Sequence, residues 1–174
     1  LDGEGQSRVA TGLPFFDHML TLFAAHGLFD LEIQAQGDLE VDGHHTVEDV
    51  GLVLGGAIGK ALGDKKGIVR FGQALAPMDE ALARAVIDLS GRPVLAFRVE
   101  VAQERVGSFE ASLVAEFFQG LVNASRMTLH LDAWHGRSAH HIIEAVFKAF
   151  GRALDQATAL DPRRTDVPST KGVL

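Results

Sequence analysis

Two pentads of the form His-His-x-x-Glu stand in this 174-residue chain, His44-His45-Thr46-Val47-Glu48 and His140-His141-Ile142-Ile143-Glu144. Their offset is constant, because 140 − 44 and 144 − 48 both equal 96. On a helix, residues i and i+4 share a face, so His44 can point with Glu48 and His140 with Glu144. Neighbouring residues diverge by about 100° at 3.6 residues per turn, so adjacent histidines should not chelate one ion. Each pentad therefore feeds two metals, and each metal needs further ligands from elsewhere. Imidazole with carboxylate suits a borderline divalent ion such as manganese, iron or zinc. The repetition itself points to an internal duplication built around metal binding.

Other donors fall into the same frame. His18 lies in the earlier helix of the first half, and the corresponding place in the second half, shifted by 98, is Glu116. Both are ligand types, which suits two related sites. His140, Glu144 and Lys148 run i, i+4, i+8 on one helix face. An ammonium beside a metal site disfavours further cations and suits an anionic group of a metal-bound substrate. Arg70, Arg92 and Ser169-Thr170-Lys171-Gly172 could complete a phosphate pocket of guanidinium forks and a hydroxyl. His26 precedes Gly27 and reads as a histidine complementing a helix C-terminus. His130 sits on the polar face of its strand, and His135, in a Trp-His-Gly loop, receives no role.

The composition excludes several classes. The formal charge is −7 with no basic run, which argues against nucleic acid. No cysteine is present, so thiolate chemistry and disulfides are absent, as in a reducing compartment. An apolar content of 47% supports a real core, and no apolar run reaches membrane-spanning length.

The elements that must position these residues follow from periodicity. Short strands are expected at 7–12, 29–36 and 39–42, and helices at 15–25 and from the first pentad to Ala61. Strands are expected at 68–76, 82–89 and 94–102, with Ser90-Gly91-Arg92-Pro93 turning the last two into a hairpin. A helix over 109–123, a strand over 127–132 and a helix from the second pentad to Ala157 complete the second half. The tail from Asp161 reads as irregular. The reading is α+β: a duplicated α/β unit with an antiparallel or mixed sheet and helices on one face of each half. Residues 1–77 form the first half, 78–160 the second, and 161–174 a substrate-binding tail. If the halves are duplicates, one strand is expected before Leu1.

Six segments then line up with a known family. Phe16-Asp-His-Met-Leu20, Asp42-Gly-His-His-Thr-Val-Glu-Asp49, Pro77-Met-Asp-Glu80, Asp88-Leu-Ser-Gly-Arg-Pro93, His140-His-Ile-Ile-Glu-Ala-Val-Phe-Lys148 and Pro168-Ser-Thr-Lys-Gly172 resemble, in order, imidazoleglycerol-phosphate dehydratase. The resemblance implies a two-layer unit of the ribosomal S5 domain 2-like kind, duplicated, in a cytoplasmic 24-subunit homo-oligomer with active sites between subunits. It implies a lyase of histidine biosynthesis that converts imidazole glycerol phosphate to imidazole acetol phosphate with two manganese ions. It further implies His18, His44, His45, Glu48, His140, His141 and Glu144 as metal ligands, with Glu116 where the family often has histidine. Arg70, Arg92, Lys148, Ser169 and Lys171 would bind substrate, chiefly its phosphate. The family's first strand, with a substrate-contacting glutamate, would precede Leu1.

The chemistry explains the need for metals. The hydrogen to be removed sits on a carbinol carbon with no carbonyl to acidify it. Metals on the imidazole nitrogens would favour the ring anion, which can expel the adjacent hydroxyl to give a diazafulvene. Glu48, Glu144 or His18 would then move the neighbouring proton, unless the base lies before Leu1. Two rival readings are a metal-dependent phosphohydrolase, which would release inorganic phosphate, and a metal-storing shell, which would ignore imidazoles.

Overall fold

A computed structural model describes residues 1–174. The first half runs β1 (Ser7–Ala10), α1 (Pro14–Gly27), β2 (Leu31–Gln34) and α2 (His44–Leu62). The second runs β3 (Phe71–Met78), β4 (Ala81–Asp88), β5 (Val94–Arg98), the two-residue strands β6 (Arg105–Val106) and β7 (Phe109–Glu110), α3 (Leu113–Ser125), β8 (Thr128–His135) and α4 (Ala139–Thr158). β1 pairs with β2 in parallel. The main sheet has the order β3-β4-β8-β5, with β8 antiparallel to β4 and parallel to β5. The parallel pair flanking a helix thus occurs twice, as β1-α1-β2 and β5-α3-β8, each followed by a pentad helix.

α4 lies on the main sheet, and strict alternation in β4 explains how. Ala81, Ala83, Ala85 and Ile87 are buried against the helix layer, while Leu82, Arg84, Val86 and Asp88 face outward. Small residues on that face let α4 approach closely. Gly72 on β3 has the same meaning, since a Cβ there would fall 1.9 Å from the carbonyl oxygen of Ala153. The helices then stack in pairs, α1 on α4 and α2 on α3. Between them lies an aromatic core in which Phe16, Phe117, Phe118, Phe147 and Phe150 are each at most 1% exposed. Burial of such rings dominates the hydrophobic stabilisation of the layer.

The free edge of β2 and the adjacent face of α2 enclose a cavity of about 320 Å³ lined by Leu31, Ile33, Val50, Val53 and Leu54 among others. Its counterpart in the second half is filled, because β4 pairs along β8 there.

Five expectations change. Leu39–Asp42 is a turn rather than a strand: Val41 N–H donates to Asp38 O at 2.8 Å, and Asp42 Oδ1 caps the His44 N–H at 2.8 Å. Four alternating residues are too few to separate strand from turn. Ser90–Pro93 closes no hairpin, since β8 lies between β4 and β5. The loop is instead fastened to the start of β8 by Thr128 Oγ1, which donates to Arg92 O, and by Arg126 Nε–H to Gly91 O. The hairpin is β3–β4, turning at Asp79-Glu80. The helix expected from Phe109 starts at Leu113, because Phe109-Glu110 pairs with Arg105-Val106. The strand expected over 94–102 stops at Arg98, where pairing with β8 ends. The helix expected to end at Ala61 runs one residue further, and Leu62 rather than the exposed Ala61 closes its buried face.

Candidate metal centre

The start of α1 is fixed from behind. Pro14 occupies its first turn, and Asp17 reaches back to accept from both Thr11 N–H (2.9 Å) and Thr11 Oγ1–H (2.6 Å). Thr11 is fully buried, so this clasp sets the helix phase and with it the direction of His18. One turn of α4 lies opposite. Glu144 Oε2 is 3.5 Å from His18 Nε2 and 3.2 Å from His140 Nε2. These three donors all lie within 4.8 Å of one another and form the one such group of three in the chain. Phe15 packs edge-on against the His140 ring at 5.1 Å, which limits its rotamers.

Glu144 is only 6% exposed. Its second oxygen, Oε1, accepts from Lys148 Nζ at 2.6 Å, so the carboxylate is divided between ammonium and histidines. Burial opposes its ionisation, and Lys148 with the two histidines outweighs that and holds its pKa below the ordinary value. Lys148 also touches Met78 Sδ at 3.4 Å. The i, i+4, i+8 alignment expected from spacing is therefore present.

Adjacent histidines diverge, as helical geometry requires. The His140 and His141 centroids are 6.0 Å apart at 75°, and those of His44 and His45 6.2 Å apart at 85°. His44 Nε2 approaches Glu48 Oε2 at 3.5 Å on an exposed face of α2. His45 turns to Asp38, Nδ1 to Oδ2 at 2.9 Å, and His141 turns to Glu80, Nδ1 to Oε2 at 2.7 Å. Within one chain, then, His44, His45, Glu48 and His141 do not join the His18 cluster. Glu116 is half-buried on α3 and also lies outside it. Its helix crosses α2 at Gly120, where a Cβ would fall 2.8 Å from the Glu48 carbonyl. α3 thus presents Glu116 one turn from that crossing, much as α1 presents His18 to α4.

The anion-site candidates form a second group around Asp88. Arg70 gives Nε and Nη2 to Asp88 at 2.7 and 3.2 Å and Nη1 to Pro168 O at 2.8 Å. Arg92 is exposed and 3.8 Å from Asp88. Gly91 lies against Leu174, so the tail carrying Ser169 and Lys171 folds over this corner. Lys148 belongs to the His18 cluster instead. His130 lies on the outer sheet face, since Leu129 and Leu131 face the helices, and so cannot reach the cluster. His26 is in the last turn of α1 as expected, with burial and then Lys148 and Arg152 lowering its pKa. The roles of Asp38 and Glu80 were not read from the sequence. The available signal was an acidic pair at a strand-to-strand turn, which spacing alone does not link to His141.

The family model for imidazoleglycerol-phosphate dehydratase matches residues 11–154, spanning both pentads. The chain belongs to the imidazoleglycerol-phosphate dehydratase family. A dehydratase of that name from Syntrophobacter fumaroxidans is 57% identical over 174 residues, covering 100% of this chain and 88% of the relative. One from Paraburkholderia phytofirmans is 59% identical, covering 100% and 90%. The solved imidazoleglycerol-phosphate dehydratase of Staphylococcus aureus superposes with a TM-score of 0.86 at 46% identity, covering 92% of this chain and 91% of that one. The Pyrococcus furiosus enzyme gives 0.85 at 39%, covering 97% and 91%. The mixed α+β architecture and the assignment as an enzyme of this family stand on these matches. No helix is long and apolar enough to cross a membrane.

Proposed function

We propose that this dehydratase acts on imidazole glycerol phosphate in histidine biosynthesis, in the cytoplasm, with two manganese ions per active site in a 24-subunit homo-oligomer. The observation that carries the reading is the convergence of His18, His140 and Glu144 with Lys148 behind them. The donor set fits the metal. Ligands about 2.1 Å from an ion stand about 3 Å apart when cis, close to the 3.2 and 3.5 Å separations around Glu144 Oε2. Two imidazoles and a carboxylate suit manganese. His141 would serve a neighbouring ion, as would His44, His45, Glu48 and Glu116, with the two pentads of different subunits completing each site. Manganese, when bound, makes an imidazole ring easier to deprotonate.

The chain's own residues divide the remaining work. Lys148 keeps Glu144 ionised and immobile, which suits a fixed ligand. Glu48 is nearly half exposed and held only loosely by His44, so it is free to move between ligand and base. Arg70 is committed to Asp88 and Pro168, and its part is to hold the tail so that Ser169 and Lys171 stand beside Arg92 around a phosphate. We take the two halves to divide in the loop at 63–67 rather than at residue 77, because β3 belongs to the second half's sheet.

Two measurements test the reading. Manganese per chain, determined together with particle mass, should give two ions and a 24-subunit particle. Turnover of imidazole glycerol phosphate should yield the ketone with its phosphate retained; release of inorganic phosphate would replace this reading with hydrolysis. At saturating manganese, Glu48→Gln should abolish turnover, and an unchanged rate would clear Glu48 as the base.

A further inference from the structure

We infer that Glu80 and Asp38 are positioning residues that fix the coordinating nitrogen of one histidine in each pentad. The inference rests on the metal reading of His141 and His45 given above. Glu80 stands at the β3–β4 turn, far from α4 in sequence, yet all its acceptor capacity is directed at that helix. Oε1 accepts from the backbone N–H groups of Arg137 and Ser138 at 3.0 and 2.9 Å, which immobilises the carboxylate at the helix start. Oε2 then meets His141 Nδ1 at 2.7 Å. An ionised carboxylate only accepts, so Nδ1 must carry the proton and Nε2 keeps its lone pair. Two further carboxylates act on this ring, Asp79 and Glu144; the nearer, Asp79, lies 3.9 Å from Nε2, beyond hydrogen-bond length, and leaves that nitrogen available.

The first half arrives at the same arrangement by a different route. Asp38 follows β2 in the loop before α2, only seven residues from its partner, and its Oδ2 meets His45 Nδ1 at 2.9 Å. The two carboxylates occupy non-equivalent places in the duplicated halves and differ in type. They nevertheless select the second histidine of the pentad, and the same ring nitrogen, in both. A salt bridge inherited by duplication would sit at equivalent positions, so the common element is the requirement for a free Nε2. Metal-bound histidines commonly hand their other N–H to a carboxylate, which sets the tautomer and raises ligand basicity.

Amide substitution separates this role from a structural one. In Glu80→Gln the amide oxygen still accepts from Arg137 and Ser138, so the helix start is retained. The amide nitrogen then donates to His141 Nδ1, which drives the ring proton to Nε2 and blocks coordination. The Asp38 side chain has no second partner that would orient an amide, so the matching variant is Asp38→Ala, which removes the acceptor from His45 Nδ1 on an exposed loop where folding is not at stake. Manganese affinity is read by electron paramagnetic resonance on the intact assembly, beside the melting temperature of the metal-free protein. Each variant should bind manganese about 10–100-fold more weakly, with the metal-free melting temperature and particle mass unchanged and with turnover recovering at saturating manganese. Affinities within twofold of the parent in both variants, in a parent that does bind manganese, overturn the positioning role alone. A parent that binds no manganese overturns both this role and the metal reading beneath it.

Discussion

At the scale of single residues, the site is a set of carboxylates whose oxygens are already allotted. Glu144 gives one oxygen to Lys148 and the other to the histidines; Glu80 gives one to a helix start and the other to His141. Hydrogen bonding to His141 and to the backbone holds Glu80 down to about 2. The carboxylates of Asp38 and Glu80 raise the pKa of His45 and His141 above the ordinary 6.5. A raised histidine pKa means that protons compete with metal over a wider range, because coordination requires the neutral ring. Manganese affinity should therefore rise with pH through and above 6.5, with proton release on binding; calorimetry in buffers of different ionisation enthalpy would register it. In the metal-free protein the sign for Glu144 is opposite. Its depressed pKa contributes stability above the unfolded value of 4.5, lost as pH falls through the folded one. Lys148→Met removes the main opposing charge, so its acid unfolding midpoint should move to higher pH, which circular dichroism during acid titration would follow.

At the scale of elements, the duplication is carried by how closely the helices approach. A Cβ on Gly55 of α2 would fall 2.3 Å from Leu121 O of α3, and one on Gly151 of α4 would fall 2.6 Å from Phe23 O of α1. The two glycines stand at the offset of the pentads, so the same residue sets both crossings and the histidines project from each helix at matching heights. Alanine would gain about 1 kcal/mol in helix propensity at either position. Overpacking against a backbone carbonyl, which no rotamer change relieves, costs about 1–3 kcal/mol. Gly55→Ala and Gly151→Ala should lower the melting temperature by several degrees, with manganese content falling alongside. A raised melting temperature would mean the crossings have slack. This layer of the fold was half legible beforehand. Val47, Val50 and Leu54, like Ile143, Val146 and Phe150, recur at helical spacing and are the buried faces of α2 and α4, whereas nothing in the glycine spacing said which helix lay opposite.

At the scale of the whole molecule, one chain supplies two unlike clusters. The second pentad has His18 and Lys148 assembled beside it, while the first presents His44 and Glu48 on an exposed helix face. If subunits share sites, two inactive variants should complement each other. Mixed particles formed by co-refolding His44→Ala with His140→Ala should recover about a quarter of parent turnover, because random assembly leaves about that share of interfaces with both pentads intact. Failure to complement in particles shown by native mass spectrometry to be mixed would place each complete site within one chain.

By itself the sequence determined the donor chemistry, the i, i+4 pairing within each pentad, the divergence of adjacent histidines and the α+β alternation. These follow from helix and strand periodicity, which act over a few residues. Only the tertiary structure decided that β8 separates β4 from β5, that Arg70 clasps Asp88 and the tail, and that Asp38 and Glu80 select a nitrogen on His45 and His141. Those outcomes depend on where distant segments come to rest, and a hydrogen bond between residues 61 positions apart leaves no periodic trace in the chain that makes it.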